Sequence, residues 1–453
     1  MPDTIAAIAT GYSVSAIGII RISGEQAIPA AEKLFRAFSG EPVSRAEDRK
    51  LIYGELSSDI GELLNLCLCT VSRAPHSYTG EDTVEFQCHG SPVVLRAVLD
   101  SLFRLGLRQA KPGEFTRRAF LNGRMELTSA EAVADLIDAE TEEAAKNAAG
   151  QLSGAISRKT DGIYRELVDI CAHYHAVLDY PDEDIEPFVL KEYRDSLQTA
   201  SDTLTQLLRT FDRGKMMNAG IPTAIVGRPN AGKSSLLNAL LGYDRAIVTS
   251  IPGTTRDTIE EKWRLGNVVL RLTDTAGIRD TCDEAERLGV ERSYAAMDQA
   301  ALVIVVVDGT SAFTAEDEKL LAYAKKAPAA LLVLSKKDLP TFREIIQNVG
   351  IPAYALSAET GEGIDRLEKA IAELFPVPDV PAGEILTNAR QAEAVALALD
   401  YLHAAVDAMD NGETPDIVLT ETEGAMNAIG ELSGRIIRED VTNRIFSRFC
   451  VGK

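Results

Sequence analysis

The sequence predicts a multidomain α/β chain: an N-terminal α+β domain, an all-α helical domain, and an α/β domain with a mostly parallel sheet inserted into the helical one. Three observations predict it. The 453 residues are enough for about three domains of ordinary size. Between residues 221 and 375 short β-branched runs alternate with helical stretches, the mark of βαβ units. Helical periodicity stands on both sides of that region. The expected boundaries are 1–118, 119–216, 217–378 and 379–453, the second and fourth being two parts of one helical domain.

In the first domain, Ala16–Ile22 and Leu63–Val71 read as strands and Pro92–Leu105 as a helix. Cys67 and Cys69 share one face of the second strand by the period of two, and are expected as core thiols. Thr128-Ser129-Ala130-Glu131 reads as a capping box ahead of an Ala/Glu-rich stretch running to Ala149. Helices continue to about residue 212, and over Ile163–Leu178 apolar side chains at 163, 167, 170, 171, 174, 177 and 178 form one face. His173 and His175, two apart on this helix, point in different directions and cannot jointly hold a metal.

In the inserted domain the expected strands are Pro222–Val226, Val268–Thr273, Leu302–Val307, Ala330–Leu334 and Ala353–Leu356. A Gly266-Asn267 turn inside Lys262–Thr273 adds a hairpin and one antiparallel edge. Pro376, Pro378 and Pro381 make a stiff exit, after which Ala389–Met409 and Gly424–Phe446 return to helical spacing.

Lys and Arg number 47 against 68 Asp and Glu, a formal charge of −21, which argues against a broad polyanion binder. Any nucleic acid has to be held locally or through a partner. Six cysteines, none in a CxxC pair, describe neither a disulfide scaffold nor a zinc ribbon and fit a reducing cytosol. The uncharged run Thr4–Ile20 has an acidic residue before it, contains Gly11, Ser13 and Ser15 and lacks a basic n-region, so strands are expected there and no membrane span. A cytoplasmic protein is the expectation. The terminal Cys450-Val451-Gly452-Lys453 formally satisfies C-a-a-X, but neither Gly452 nor a terminal Lys suits prenylation.

Gly227-Arg228-Pro229-Asn230-Ala231-Gly232-Lys233-Ser234 follows one strand and opens the helical Ser235–Leu241, the order a phosphate loop requires. Its backbone N–H groups would cradle phosphate, Lys233 would set a point charge on the β and γ oxygens, and the Ser234 hydroxyl would ligate Mg²⁺. Asp274-Thr275-Ala276-Gly277 ends the next long strand, where a carboxylate reaches the Mg²⁺ shell and Gly277 N–H senses a γ-phosphate. Ser335-Lys336-Lys337-Asp338 resembles the guanine-reading NKxD motif: the Asp338 carboxylate accepts from two N–H groups of guanine and repels adenine. Ser357-Ala358-Glu359 follows the next strand. Between the first two motifs, Gly253-Thr254-Thr255-Arg256-Asp257 stands where a first switch supplies a Thr to Mg²⁺, and Thr255 is the choice. Ile278 occupies the position of the usual water-orienting Gln, so another polar group must act, and Asp283, Glu284 and Glu286 are nearest in sequence.

Taken with Gly18 to Gly24, Tyr78-Thr79-Gly80-Glu81-Asp82, Pro112 to Thr116, Asp274 to Arg279 and the terminal Cys450 to Lys453, these motifs make the chain resemble the bacterial tRNA-modification GTPases of the MnmE/TrmE family over its whole length. The resemblance implies an N-terminal tetrahydrofolate-binding and dimerising domain, a helical domain and an inserted P-loop GTPase domain. It implies a potassium-dependent GTP hydrolase that, with an FAD-dependent partner in a hetero-oligomer, adds a carboxymethylaminomethyl-type group to C5 of the wobble uridine of certain tRNAs. FAD is expected on the partner only, and tRNA is engaged mainly through the complex. K⁺ would be held by Asn230, Thr249, Ile251 and Thr254, and Mg²⁺ by Ser234 and Thr255. Glu286 would orient the attacking water beside Lys233. GTP or GDP contacts would run over Asn230 to Ser235 (with Ala231, Gly232 and Ser235), Thr249 to Thr255 (with Ser250, Pro252 and Gly253), Asp274, Thr275, Ala276 and Gly277, then Ser335, Lys336, Asp338, Ser357, Ala358 and Glu359. 5-Formyl- or methylene-tetrahydrofolate would meet Arg21, Glu81, Arg124 and Lys453, with Cys450 serving the modification.

Two departures from the family pattern stand out. Ser335 replaces the Asn usual in NKxD, and the longer amide is expected to tighten GTP by about one net hydrogen bond if restored. The Gly11 to Ala16 segment lacks the family's Pro/Gly/Arg-rich form. A ribosome-assembly GTPase is the alternative function; it calls for a basic RNA-binding appendage, and the −21 charge speaks against one. A P-loop kinase or ATPase conflicts with Asp338.

Overall fold

The computed structural model describes residues 3–179, 190–243, 261–266, 268–272, 294–343, 349–376, 380–435, 445–446 and 449–452. They form two compact units, one of Met1–Ala134, Leu152–His173 and Thr422–Lys453, the other of Asp135–Gln151 and Tyr174–Glu421.

The first unit is built on a seven-stranded sheet: β1 (Ile5–Ile8), β2 (Ser15–Ser23), β3 (Phe35–Ala37), β4 (Leu51–Ser57), β5 (Leu63–Ser72), β6 (Thr83–Gly90) and β7 (Arg108–Gln109). Their order is β3-β4-β5-β6-β2-β1-β7, antiparallel throughout except for the β1–β7 pair. Alternation decides the faces. Cys67, Cys69 and Val71 of β5 and Val84, Phe86 and Cys88 of β6 point into a core closed by Leu95, Val98, Leu99 and Leu102 of the helix Pro92–Arg104. The expected core thiols are there, and burial pushes the Cys69 thiol up to about 12, so it stays protonated and packs as a small hydrophobe. Each fully buried large apolar side chain contributes about 1.5–3 kcal/mol. On the opposite face β4, β5 and β2 present Leu51, Tyr53, Leu66 and Ile17, all at least 40% exposed.

The first helix of the helical region begins at Leu127 and ends at Asp138, so Thr128 lies inside it instead of capping it. Thr128 is buried with its hydroxyl 3.1 Å from that of Ser157, a partner 29 residues away that local pattern cannot reveal. A second helix, Glu142–Leu152, is opened by Thr141, whose hydroxyl accepts from the Ala144 N–H. The face expected over Ile163–Leu178 lies in the helix Ala155–Asp179, with Ile163, Leu167, Ile170, Cys171 and Tyr174 buried. The helix expected at Gly424–Phe446 begins at Pro415 and ends at Ser433.

The second unit holds a six-stranded sheet: β8 (Ile221–Val226), β9 (Glu261–Leu265), β10 (Val268–Leu272), β11 (Leu302–Asp308), β12 (Ala329–Ser335) and β13 (Ala353–Ala355). The order is β13-β12-β11-β8-β10-β9, parallel apart from the β9–β10 hairpin at the edge. β11 is apolar on both faces because helices cover both. Ile304 and Val306 meet the layer of Leu236, Leu240, Leu367 and Ile371, while Val303, Val305 and Val307 meet Leu320, Leu321 and Ala324. In the same unit the helices Leu190–Leu208 and Ala389–Asp410 are joined by a 2.6 Å Arg194–Asp410 ion pair and a 2.8 Å Ser201–His403 contact. Asn147 receives the chain after Pro381: its amide donates to the Ile385 carbonyl and its oxygen accepts from Gly383 N–H.

Candidate functional site

β8 lies inside the sheet between β10 and β11, where the strand order reverses, so its carboxyl end opens on the crevice in which doubly wound folds hold ligands. The loop 227–232 leaves β8 there and the helix Lys233–Tyr243 begins at once, turning the positive end of its dipole to the crevice. Asn230 has φ 59° and Gly232 φ 100°, left-handed turns of the kind found where backbone N–H groups form an anion-binding nest. Lys233 folds back over the loop, its ammonium donating to the carbonyls of Gly227 (2.6 Å) and Arg228 (2.8 Å). Burial lowers its pKa, with Glu316 pulling the other way. A phosphate entering the loop would offer this half-buried cation a full counter-charge. Ser234 and Ser235 are exposed in the first turn.

The segment 335–338, expected from sequence to read guanine, sits against that loop. Ser335, the last residue of β12, is 3% exposed, and its hydroxyl donates to the Ala231 carbonyl at 2.6 Å and to that of Val307 at 3.3 Å. A Cβ on Gly232 would come within 3.2 Å of Ser335 Cβ, so the two motifs are in van der Waals contact. Lys336 takes φ 61°, and its ammonium is held by Asp308 at 2.6 Å. Asp308 also accepts from the N–H and hydroxyl of Thr310. Lys337 N–H bonds to the Leu356 carbonyl, which brings Ser357 and Ala358 beside the segment, while Asp338 and Glu359 are exposed. Buried Ser357 accepts from Thr360 N–H and shapes that turn.

Local pattern missed three residues here. Asp308 stands 28 positions before its partner Lys336. Glu316 and Asp317 lie 3.5 and 3.7 Å from the Arg228 guanidinium of the phosphate loop. Thr314 and Asp317 form a capping box for the helix Ala315–Ala324, and that four-residue signature was the signal available for Asp317. Thr249, Ser250, Ile251, Pro252, Gly253, Thr254, Thr255, Asp274, Thr275, Ala276, Gly277, Glu286 and Lys453 lie outside the described residues.

In the first unit the segment Ser77–Glu81 gathers Arg21, Glu81 and Arg124. The Arg21 guanidinium lies over the rings of Tyr78 and Phe115, 5.3 and 5.6 Å from their centroids, and pairs with Glu85 at 2.7 Å. Glu81 accepts from Ser23 (2.8 Å) and from Arg118 (3.0 Å), and Arg124 donates to the Ser77 carbonyl (3.1 Å). Exposed Cys450 is brought to this unit's N-terminal residues: its carbonyl accepts from Gly113 N–H, and Val451 bridges to Pro112. Among the described residues no three His, Cys, Asp or Glu side chains cluster as a metal site, and no helix is long and apolar enough to cross a membrane.

Two family models match this chain: the MnmE helical domain over residues 127–450 and the N-terminus of GTP-binding protein TrmE over residues 4–124. The tRNA modification GTPase MnmE of Symbiobacterium thermophilum is 42% identical over 457 residues, covering 100% of this chain and 99% of its own. That of Acetivibrio thermocellus is 39% identical over 458 residues and that of Roseiflexus castenholzii 42% over 469, both with 100% of this chain and 99% of theirs covered.

Proposed function

The chain belongs to the MnmE family of tRNA modification GTPases and is a GTP hydrolase, and from that premise we propose that its turnover needs K⁺ and drives, with an FAD-dependent partner, the attachment of a carboxymethylaminomethyl-type group to C5 of the wobble uridine of tRNA. The observation that supports the nucleotide chemistry is the Ser335 bond to Ala231, which joins the segment assigned here to guanine to the loop assigned here to phosphate. The proposed nucleotide contacts are Asn230 to Ser235, Thr249 to Thr255, Asp274 to Gly277, Ser335, Lys336, Asp338 and Ser357 to Glu359. The proposed domains keep the boundaries 1–118, 119–216, 217–378 and 379–453.

In this reading the Lys233 ammonium leaves the loop carbonyls for the β and γ oxygens, and the helix N-terminus adds its N–H groups. Glu286 orients a water whose oxygen attacks the γ-phosphorus as the bond to the bridging oxygen breaks and GDP departs. Ser234, exposed in the first helical turn, and Thr255 would hold Mg²⁺; Asn230, with its turned backbone at the loop mouth, would hold K⁺ together with Thr249, Ile251 and Thr254. Both cations would offset charge growing on the phosphate oxygens. No arginine is assigned to that task in cis, which is why a monovalent ion is invoked.

The N-terminal unit would bind tetrahydrofolate, the one-carbon donor, through Arg21, Glu81, Arg124 and Lys453. Cation, carboxylate and aromatic walls around Ser77–Glu81 suit a pterin with donors on one edge and a glutamate tail. The exposed face of Ile17, Leu51, Tyr53 and Leu66 would pair with a second copy, making the homodimer. The test of the whole reading is single-turnover hydrolysis by the purified chain in KCl and NaCl at equal ionic strength, with nucleoside analysis of tRNA from cells lacking and regaining the gene. A K⁺-selective rate and restored wobble modification are expected. Equal rates in the two salts overturn the potassium role, and unchanged nucleosides overturn the modification role.

A further inference from the structure

Net charge −21 requires that any RNA contact on this chain be a local cluster. One such cluster shares no residue with the nucleotide crevice. Lys319, Tyr323 and Lys326 stand at i, i+4 and i+7, so the helix Ala315–Ala324 and the turn after it align a cation, an aromatic ring and a second cation on one stripe. At about 1.5 Å of rise per residue the two lysines are set about 10 Å apart along the axis. Tyr294 completes the wall of a surface cavity of about 420 Å³ lined by these three residues and Ala322.

The aromatic part is held firmly. Leu320, Leu321 and Ala324 bury the other side of the helix against β11 and β12, fixing the stripe outward. The Tyr294 and Tyr323 rings meet edge to face at 4.6 Å, and the Tyr323 hydroxyl donates to Asp298 at 2.7 Å. Asp298 is thereby engaged. Glu316 and Asp317 at the far end of the helix face Arg228, and exposed Glu318 does not line the cavity. The Lys326 ammonium lies 4.3 Å from the Tyr323 centroid, and among the described residues neither Lys319 nor Lys326 pairs with a carboxylate.

We propose that this cavity is an RNA contact: it takes one unpaired nucleotide of the tRNA, its base against the tyrosine rings and its flanking phosphates on Lys319 and Lys326. Two cations around a fixed aromatic wall match a nucleotide's alternation of anion and π-face, which an acidic peptide lacks. The inference rests on tRNA being the substrate.

The test uses the full chain with bulk bacterial tRNA, a hexauridine oligoribonucleotide and a polyglutamate peptide as probes. For Lys319→Glu/Lys326→Glu we expect tRNA affinity to fall at least tenfold at low salt, and the slope of log K against log[KCl] to shrink by about 1–2. Tyr323→Leu, which keeps apolar bulk, should weaken hexauridine at least fivefold. Both variants should bind fluorescent GDP within twofold of the parent, which certifies their folding. Parent-like tRNA affinity in the double variant overturns the proposal, as does a parent chain that prefers polyglutamate to hexauridine or binds neither RNA. Wobble modification in cells, scored separately, decides the substrate reading: its presence with failed RNA binding sinks this contact alone, and its absence sinks both.

Discussion

The Ser335 hydroxyl donates a 2.6 Å hydrogen bond to the carbonyl of Ala231, which ties the end of β12 to the loop that follows β8. The position that departs from the family's Asn therefore still has a link to make. Ser335→Ala leaves a buried carbonyl short of a partner, which costs about 1 kcal/mol. Fluorescent GDP should bind about fivefold more weakly. Ser335→Asn, expected from sequence to tighten binding, brings a larger side chain into a slot already in contact with Gly232. Its affinity should not exceed the parent's, and tighter binding would show that the loop yields to the amide.

Asp308 holds Lys336, whose φ of 61° is strained for a residue with a side chain. Burial raises the carboxyl while bonds from Lys336 and Thr310 outweigh it, and the net shift is downward, so the carboxylate stays charged at neutral pH. Asp308→Ala removes all three bonds, the one from Lys336 and the two from Thr310, and should loosen GDP and GTP alike, by about three- to tenfold, the scale of one or two net hydrogen bonds. The rate at saturating GTP should be unchanged. A loss confined to that rate would move Asp308 from positioning into the chemistry.

How much of this was legible follows from the range of each interaction. β11 was readable because Leu302 to Val307 is a continuous apolar run, which only a strand covered on both faces requires. The β9–β10 hairpin was readable from a two-residue turn between alternating runs. Thr128 misled because a capping signature is local while its partner Ser157 comes from a different helix. Asp308 carries no signature, since a lone acid after a strand reads as a turn residue until β12 is laid beside β11. Ser335 was visible as a departure from NKxD, but its acceptor came only with the fold.

Guanine preference should follow Asp338. The residue is exposed at the lip of the segment, free of a structural load that would confuse the result. Its carboxylate accepts from two donors of guanine; Asn presents one donor and one acceptor, which suits xanthine. Asp338→Asn should weaken GTP at least tenfold and favour xanthosine triphosphate in a competition assay. An unchanged preference would remove the segment from base recognition.

Acid should weaken the N-terminal unit in a defined window. Hydrogen bonding and charge from Arg108 and Arg118 hold the Asp3 carboxyl down at about 2, against an ordinary value of 3.8. A depressed folded value means stability that is present above the unfolded value and is lost as pH falls through about 2. The Asp3 side chain is 55% exposed, so the gain is at most about 1 kcal/mol. The difference in melting temperature between parent and Asp3→Asn should therefore be steady from pH 7 to 5 and shrink below pH 4. A difference that grows on acidification would contradict the assignment.

The chain terminus should matter for tRNA modification and not for GTP turnover. Val451 bridges to Pro112, Gly113 N–H bonds to the Cys450 carbonyl, and Gly452, at φ 100°, packs against the Ile8 carbonyl. These backbone contacts anchor the tail to the unit that holds Arg21, Glu81 and Arg124 and leave the Cys450 side chain exposed. Cys450→Ser keeps every one of them, so it should fold as the parent does and hydrolyse GTP at the parent's rate within about twofold. Its wobble uridines, measured by nucleoside mass spectrometry in a strain relying on the variant, should lack the added group. Gly452→Ala is the structural counterpart: a Cβ there meets the Ile8 carbonyl, so it should lower the melting temperature by several degrees, as a strained left-handed position costs about 1–3 kcal/mol. Full modification in Cys450→Ser would reduce the thiol to a bystander and leave the tail a purely structural role.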